Sequence, residues 1–300
     1  MRTVDSALLR TWSAEGDAPG EETGGRLLII GGSRQTPGAV RLAAEAALRA
    51  GSETVQVLTV RSTAPVLAVA VPELLVAGVE ETADGEIAPG AFRRAAEMAQ
   101  QADVVLVGPG FMSPAAAVDL CRPLLPRLRC RVVVDALAMA VFAAVPSFRF
   151  ADGQAILTPN TGELGLALDE DPKRVEDEPA DAIRRLSRRA NAVVTSGSAT
   201  TYTAGPAGDI WVDRSGHDGL AASGSGDVKA GIIASAFGGL DDSLGDRLDD
   251  GLDHPEKAAV WGGHVHARAG ELVASRVGRV GFVASELVSA VPEVITSLTK

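Results

Sequence analysis

The sequence predicts a three-layer α/β/α fold with a mostly parallel central sheet. Three observations lead there. Short Val/Ile/Leu runs at residues 27–30, 104–107 and 132–134 are apolar at every position, which suits strands buried on both faces. These runs alternate with helix-length segments rich in Ala and Leu. Aromatics make up only 4% of the chain, so the helices can pack closely on the sheet.

The elements follow in order. Residues 4–12 read as a short helix, and the polar stretch up to residue 25 as a flexible segment. Residues 26–30 form a strand that runs into the Gly31-Gly32-Ser33 turn. Residues 37–50 form a helix, with Pro37 suited to its first turn and Gly51 stopping it. A strand at 54–60 and a helix at 89–101 come next. The strand at 103–107 ends in Gly108-Pro109-Gly110, and a helix at 114–128 is bent or shortened by Pro123 and Pro126. Strands at 131–135 and 154–158 precede a helix at 161–168. Residues 169–179 are charged and carry two prolines, so they read as an exposed loop. A helix at 180–189 and a strand at 191–195 follow, then a hairpin over 200–204 and 209–212. Helices at 225–237, 255–276 and 284–298 complete the chain, with 240–254 an acidic loop. No linker or internal repeat divides the pattern, so residues 1–300 read as one domain.

The formal net charge is −11, which opposes general DNA or RNA binding but not a small anion held by backbone N–H groups. Prolines and Glu73 interrupt the longest apolar stretch, residues 64–79, so no membrane span is expected. Cys121 and Cys130 read as structural thiols of a reducing, cytoplasmic protein. No secretory leader is expected.

Chemistry belongs at the carboxyl ends of the strands. The sharpest cluster there is Gly224-Ser225-Gly226-Asp227. Gly224 and Gly226 allow positive φ and close approach, and the helix behind them offers free N–H groups and the positive end of its dipole. Such a turn can hold a transferring phosphoryl group, and Asp227 can accept a proton from an attacking hydroxyl. Equally, Asp227 could serve only as a helix cap. Glu163 could orient a substrate loop or stabilise a helix start. Asp135 could bind metal or water, or shape a turn. Lys229 could reach phosphate or face solvent. His264 and His266 lie two apart on a helix and do not share a face, so a zinc site is not expected. His266 reads as a packed or hydrogen-bonded histidine.

Several ordered motifs give these turns a context. They are Leu28-Ile-Ile-Gly-Gly-Ser33, Pro37-Gly-Ala39, Val107-Gly-Pro-Gly110, Val134-Asp-Ala136, Leu157-Thr-Pro-Asn-Thr-Gly-Glu163, the stretch from Gly219 to Val228, His266, and Gly281-Phe-Val-Ala-Ser285. Together they resemble the ADP-dependent NAD(P)H-hydrate dehydratase family of the ribokinase-like superfamily, over roughly residues 20–295. The resemblance implies phosphoryl transfer from ADP to the ring hydroxyl of hydrated NADH or NADPH, followed by loss of phosphate. It implies Asp227 as catalytic base, and Mg²⁺ screening the phosphates with no all-protein metal site. It assigns Ala39, Gly110, Asn160, Glu163 and Asp227 to the hydrated substrate. Ser196, Gly197, Ser198, Ala199, Thr200, Gly224, Ser225 and Gly226 fall to the nucleotide. Where the family pattern carries Lys-Gly, this chain has Ser196-Gly197, which leaves ADP or ATP open as donor. The resemblance also implies a homo-oligomer, such as a tetramer, and a separate epimerase. Two other readings share the same turn: an ATP-dependent kinase of a small alcohol, and a nucleotide-binding protein with weak catalysis.

Overall fold

The computed structural model describes residues 1–14, 25–239 and 254–299. Most of the polar N-terminal segment and of the acidic 240–254 loop therefore lies outside the described residues. The first half of the chain runs β1 (Arg2–Val4), α1 (Ser6–Ala14), β2 (Arg26–Ile30), α2 (Pro37–Arg49), β3 (Thr54–Val60), α3 (Ala64–Ala70), β4 (Leu75–Val79), α4 (Phe92–Ala99), β5 (Val104–Val107), α5 (Pro114–Leu124), β6 (Arg131–Val134) and α6 (Ala140–Ala144). It continues with β7 (Ala155–Leu157), α7 (Thr161–Leu168), α8 (Pro172–Asp177), α9 (Pro179–Ala190), β8 (Val193–Gly197), β9 (Thr201–Ala204), β10 (Ile210–Asp213), α10 (Ser225–Gly238), α11 (His254–Val277) and α12 (Ala284–Leu298).

All of these strands join one sheet, in the order β1-β10-β9-β8-β7-β6-β5-β2-β3-β4. The seven strands from β4 to β8 are parallel, and β9 runs antiparallel to both β8 and β10. Successive side chains of a strand point to opposite faces, and β2 shows it. Leu27 and Ile29 enter one core with Val40, Ala43, Ile233 and Leu287, so α2, α10, α11 and α12 cover that face. Leu28 and Ile30 enter the other with Leu120, Leu124, Leu164 and Leu186, so α4 to α9 cover the opposite face. This is the predicted three-layer arrangement.

The helix that matters most is α10. It is buried on nearly every side between α2 and α11. A Cβ at Gly231 would lie 2.2 Å from the Ala43 carbonyl oxygen of α2, so only glycine permits this approach. That contact fixes where the N-terminus of α10 points.

Several local readings change. The helix expected at 4–12 begins at Ser6, because Asp5 Oδ1 accepts the Leu8 N–H at 2.8 Å and Val4 pairs with Asp213 on the sheet edge. The loop expected at 169–179 contains α8, started by Pro172 and capped by Asp171 Oδ1 on the Lys173 N–H. The helix expected at 114–128 stops at Leu124 and continues as a 3₁₀ turn, Leu125–Arg127. Residues 64–79 divide into α3 and β4 around Pro72.

A buried chain of hydrogen bonds ties the N-terminal segment to this frame. Ser6 Oγ and His264 Nε2 lie 2.9 Å apart, and His264 Nδ1 and Asp213 Oδ2 2.7 Å apart. Burial pushes the Asp213 carboxyl up, but the His264 bond and charge outweigh it and hold the group below its usual value. The adjoining cavity is only about 10 Å³, too small for a substrate, so the triad is a structural tie. His264→Ala should therefore cost roughly 2–4 kcal/mol, because it leaves the buried Asp213 carboxylate with the Ser215 N–H but without its imidazole partner. A urea titration with unchanged m-value checks this; a midpoint equal to that of the wild type would show that the tie does not stabilise the edge.

Candidate active site

The chain leaves β2 toward β3 and β4 on one side, then returns through β5 to β8 on the other. The order reverses between β2 and β5, so the loops after these strands diverge and open a crevice. Cross-links set its width: the Gly32 N–H donates to the Pro109 carbonyl at 2.7 Å, and Thr36 Oγ1 donates to the Gly110 carbonyl at 2.7 Å. The Met112 N–H donates to Glu86 Oε1 at 3.0 Å, which anchors the outer part of the second loop. Above the strand ends lies a cavity of about 780 Å³, the size of a cofactor or substrate site.

The start of α10 forms one wall. Gly224 holds φ at 85°, the left-handed region, and a Cβ there would lie 2.5 Å from Leu42 Cδ1. Ser225 Oγ and His266 Nε2 share a 2.8 Å hydrogen bond, which secures the first residue of the helix. Burial, and next the Lys229 charge, pull the His266 pKa down to about 3, so the ring is neutral. Gly226 is helical rather than left-handed, contrary to the expectation of positive φ there. Its contribution is the missing side chain: a Cβ would meet nothing within 4 Å and would point into open space.

Asp227 sits in the first turn of α10 and lines the cavity. It is not a cap. The helix start has no side-chain cap bond, and among the described residues the Asp227 carboxylate makes no hydrogen bond. Burial, and then the charge of Glu163, push its pKa up to about 7. A carboxylate with no hydrogen-bond partner that titrates near neutrality suits a general base.

Two further acids share the cleft. Asp135 follows β6 and is 4% exposed; Thr158 Oγ1 donates to its Oδ1 at 2.7 Å. Burial, then Glu163 and Asp227, raise its pKa well above the usual value. Ala136 beside it holds φ at 51°, a strained conformation for a residue with a Cβ and one that recurs at functional sites. Glu163 and Asn160 form a reciprocal capping box at the start of α7. The Glu163 N–H donates to Asn160 Oδ1 at 2.9 Å, the Asn160 N–H to Glu163 Oε2 at 2.9 Å, and Asn160 Nδ2 to Glu163 Oε1 at 2.7 Å. Glu163 is thus the helix-stabilising residue of its two readings, and it also holds Asn160 at the cavity wall. Burial raises its pKa, against its bonds to Asn160.

The structure brings Ala39, Gly110, Asn160, Glu163, Gly197, Ser198, Gly224, Ser225, Gly226 and Asp227 around one cavity. Ser196, Ala199 and Thr200 belong to the end of β8 and its turn into β9 and do not line it. Lys229, which could have faced solvent, is buried in the cavity wall. The signal for it was a single charge in an otherwise apolar helix. Thr36, Glu86 and Thr158 act through hydrogen bonds between distant loops and left no mark in the local sequence.

This architecture, with a bare helix start over the sheet's switch point, is a ribokinase-like fold. The chain belongs to the NAD(P)H-hydrate dehydratase family, whose model matches residues 27–293. An ADP-dependent (S)-NAD(P)H-hydrate dehydratase of Xanthomonas campestris is 39% identical over 100% of this chain and 98% of its own. A bifunctional NAD(P)H-hydrate repair enzyme of Moorella thermoacetica is 33% identical over 91% of this chain, which spans 50% of that longer protein. Among solved structures, the ADP/ATP-dependent NAD(P)H-hydrate dehydratase of Bacillus subtilis, co-crystallised with ATP and Mg²⁺, matches with a TM-score of 0.79 at 21% identity, over 99% of this chain and 98% of that one. No helix among the described residues is long and apolar enough to cross a membrane.

The open space at Gly226 yields a test. Gly226→Ala should leave the fold intact and stabilise it by about 0.5–1 kcal/mol, since Ala replaces a helical Gly. Its methyl would nonetheless occupy the space above the free N–H groups. Calorimetric titration should show ADP affinity reduced at least about tenfold, a loss of roughly 1.4 kcal/mol. Undiminished affinity would place the phosphates elsewhere.

Proposed function

We infer that the protein restores NADH or NADPH from its hydrated form, with ADP as phosphoryl donor. The single observation that carries this is the Asp227 carboxylate, free of hydrogen bonds among the described residues and set beside the bare start of α10 in a chain of this family. Asp227 takes the proton of the ring hydroxyl as its oxygen attacks the terminal phosphorus of ADP. The bond from that phosphorus to the bridging oxygen breaks, and AMP leaves. The N–H groups of Gly226 and Asp227 stabilise charge on the phosphoryl oxygens during transfer, while the Ser225 N–H is held by the Ala222 carbonyl at 3.1 Å. The ring nitrogen lone pair then expels inorganic phosphate, and loss of a proton from the adjacent ring carbon regenerates the reduced nicotinamide.

The phosphate-bearing nucleotide lies between the β8 end, at Gly197 and Ser198, and the start of α10. The hydrated ring lies toward Ala39, Gly110 and Asn160. Among the described residues no group of three or more His, Cys, Asp or Glu could hold a metal ion. Mg²⁺ carried on nucleotide phosphates would need only one or two carboxylates, such as Asp135 in the cavity wall, and would neutralise phosphate charge. A stereospecific site leaves the other hydrate epimer to a separate epimerase partner, and self-association of the chain completes the proposal.

The decisive assay incubates the protein with hydrated NADH and either ADP or ATP and follows recovery of absorbance of the reduced ring. Recovery with ADP is expected; nucleotide binding without recovery would overturn the reading. Asp227→Asn should retain ADP binding and lose about 10²–10⁴ in turnover. A base with a pKa raised to about 7 is deprotonated only above that value, so kcat/KM should climb as pH rises from 6 to 8. A flat profile would remove Asp227 from that role.

A further inference from the structure

Lys229 is the one charged residue between positions 228 and 237, and it is 6% exposed. A buried ammonium is expensive without partners. Side chains of a helix lean toward its N-terminus, so the lysine stem runs back along the first turn of α10 toward the cavity. There Nζ donates to the Gly197 carbonyl at 3.2 Å, on the loop that ends β8. An ammonium carries three N–H groups. Among the described residues Lys229 makes no other hydrogen bond, and no carboxylate comes within ion-pair distance. Asp135, Glu163 and Asp213 act on it only from farther away. It thus keeps two donors in the wall of a cavity whose adjoining edge is the start of α10.

We propose that Lys229 is a phosphate-binding residue of this cleft, its ammonium contacting the terminal phosphate of the nucleotide donor from within α10 while the Gly197 carbonyl holds it in place. This rests on the placement of ADP between β8 and α10. Two observations beyond the helix start support it: the residual donors, and the shared wall of Gly197, Ser198 and Gly226. The distant carboxylates oppose the effect of burial, which by itself pulls the lysine down, and leave its pKa at about 8, so it is mostly charged at neutral pH. In a cleft with three acids, that charge offsets the repulsion an incoming phosphate would meet.

The test compares ADP and adenosine binding to the wild-type protein and to Lys229→Met by calorimetry. Met fills the space without charge, so the unliganded variant should melt at or above the wild-type temperature. Loss of one charge-assisted bond should weaken ADP binding about 10- to 100-fold and leave adenosine binding unchanged. ADP binding equal to that of the wild type, or an equal loss for ADP and adenosine, would overturn the role, the latter by showing that Lys229 only supports the loop. If the wild-type protein itself fails to bind ADP, the donor placement falls and this role falls with it. Should the Met variant not fold, Lys229→Gln, which keeps donors but not charge, should show the same ADP-specific loss.

Discussion

The site depends on one contact: the backbone of α10 pressed against α2 at Gly231. Any side chain there would drive the two helices apart, and the start of α10 would leave the edge of the sheet. Held in place, that start presents unpaired N–H groups over the crevice between β2 and β5. His266 on α11 fixes Ser225 from behind, and Leu42 on α2 closes over Gly224. The position of this helix start is therefore set by helix packing.

The same packing explains the unusual titration of the cleft. Asp135, Glu163 and Asp227 come from three different elements, and each is raised first by burial. Asp135 and Glu163 have hydrogen-bond partners that hold their geometry, Thr158 and Asn160. Asp227 has none among the described residues, so its two oxygens remain available to a substrate proton. Three acids of the same chemistry thus differ in their hydrogen bonding, as the proposed roles require.

Much of the layer order could be read from the sequence, because uninterrupted apolar strands and small-residue helices have few ways to bury themselves. Asn160 and Asp227 were singled out by the family resemblance, because the local sequence left Asp227 equally readable as a helix cap. What escaped was long-range. Thr158 meets Asp135 across 23 positions, Met112 meets Glu86 across 26, and Lys229 meets Gly197 across 32. Short elements escaped as well. Residues 64–79 form a helix and a strand too short for periodicity to reveal, and α8 forms only because Asp171 and Pro172 start it against its charge-rich composition. The edge strand β1 exists through pairing with β10, a partner about 200 residues away.

The net charge of −11 gives the molecule a field that repels its own anionic ligands at long range. That field fades over about 8 Å at physiological salt, so capture has to be decided at contact. Mobile surface lysines would serve poorly, since each must be ordered on binding and is screened beforehand. Backbone N–H groups at a packed helix start are already ordered and carry no proton that neutral pH can remove. In the role proposed for Lys229, a buried ammonium fixed to a carbonyl would add a charge that is likewise already in place, at a cost in stability. An acidic protein can thus bind a nucleotide through donors ordered before it arrives, without the exposed basic patch that would create general affinity for nucleic acid.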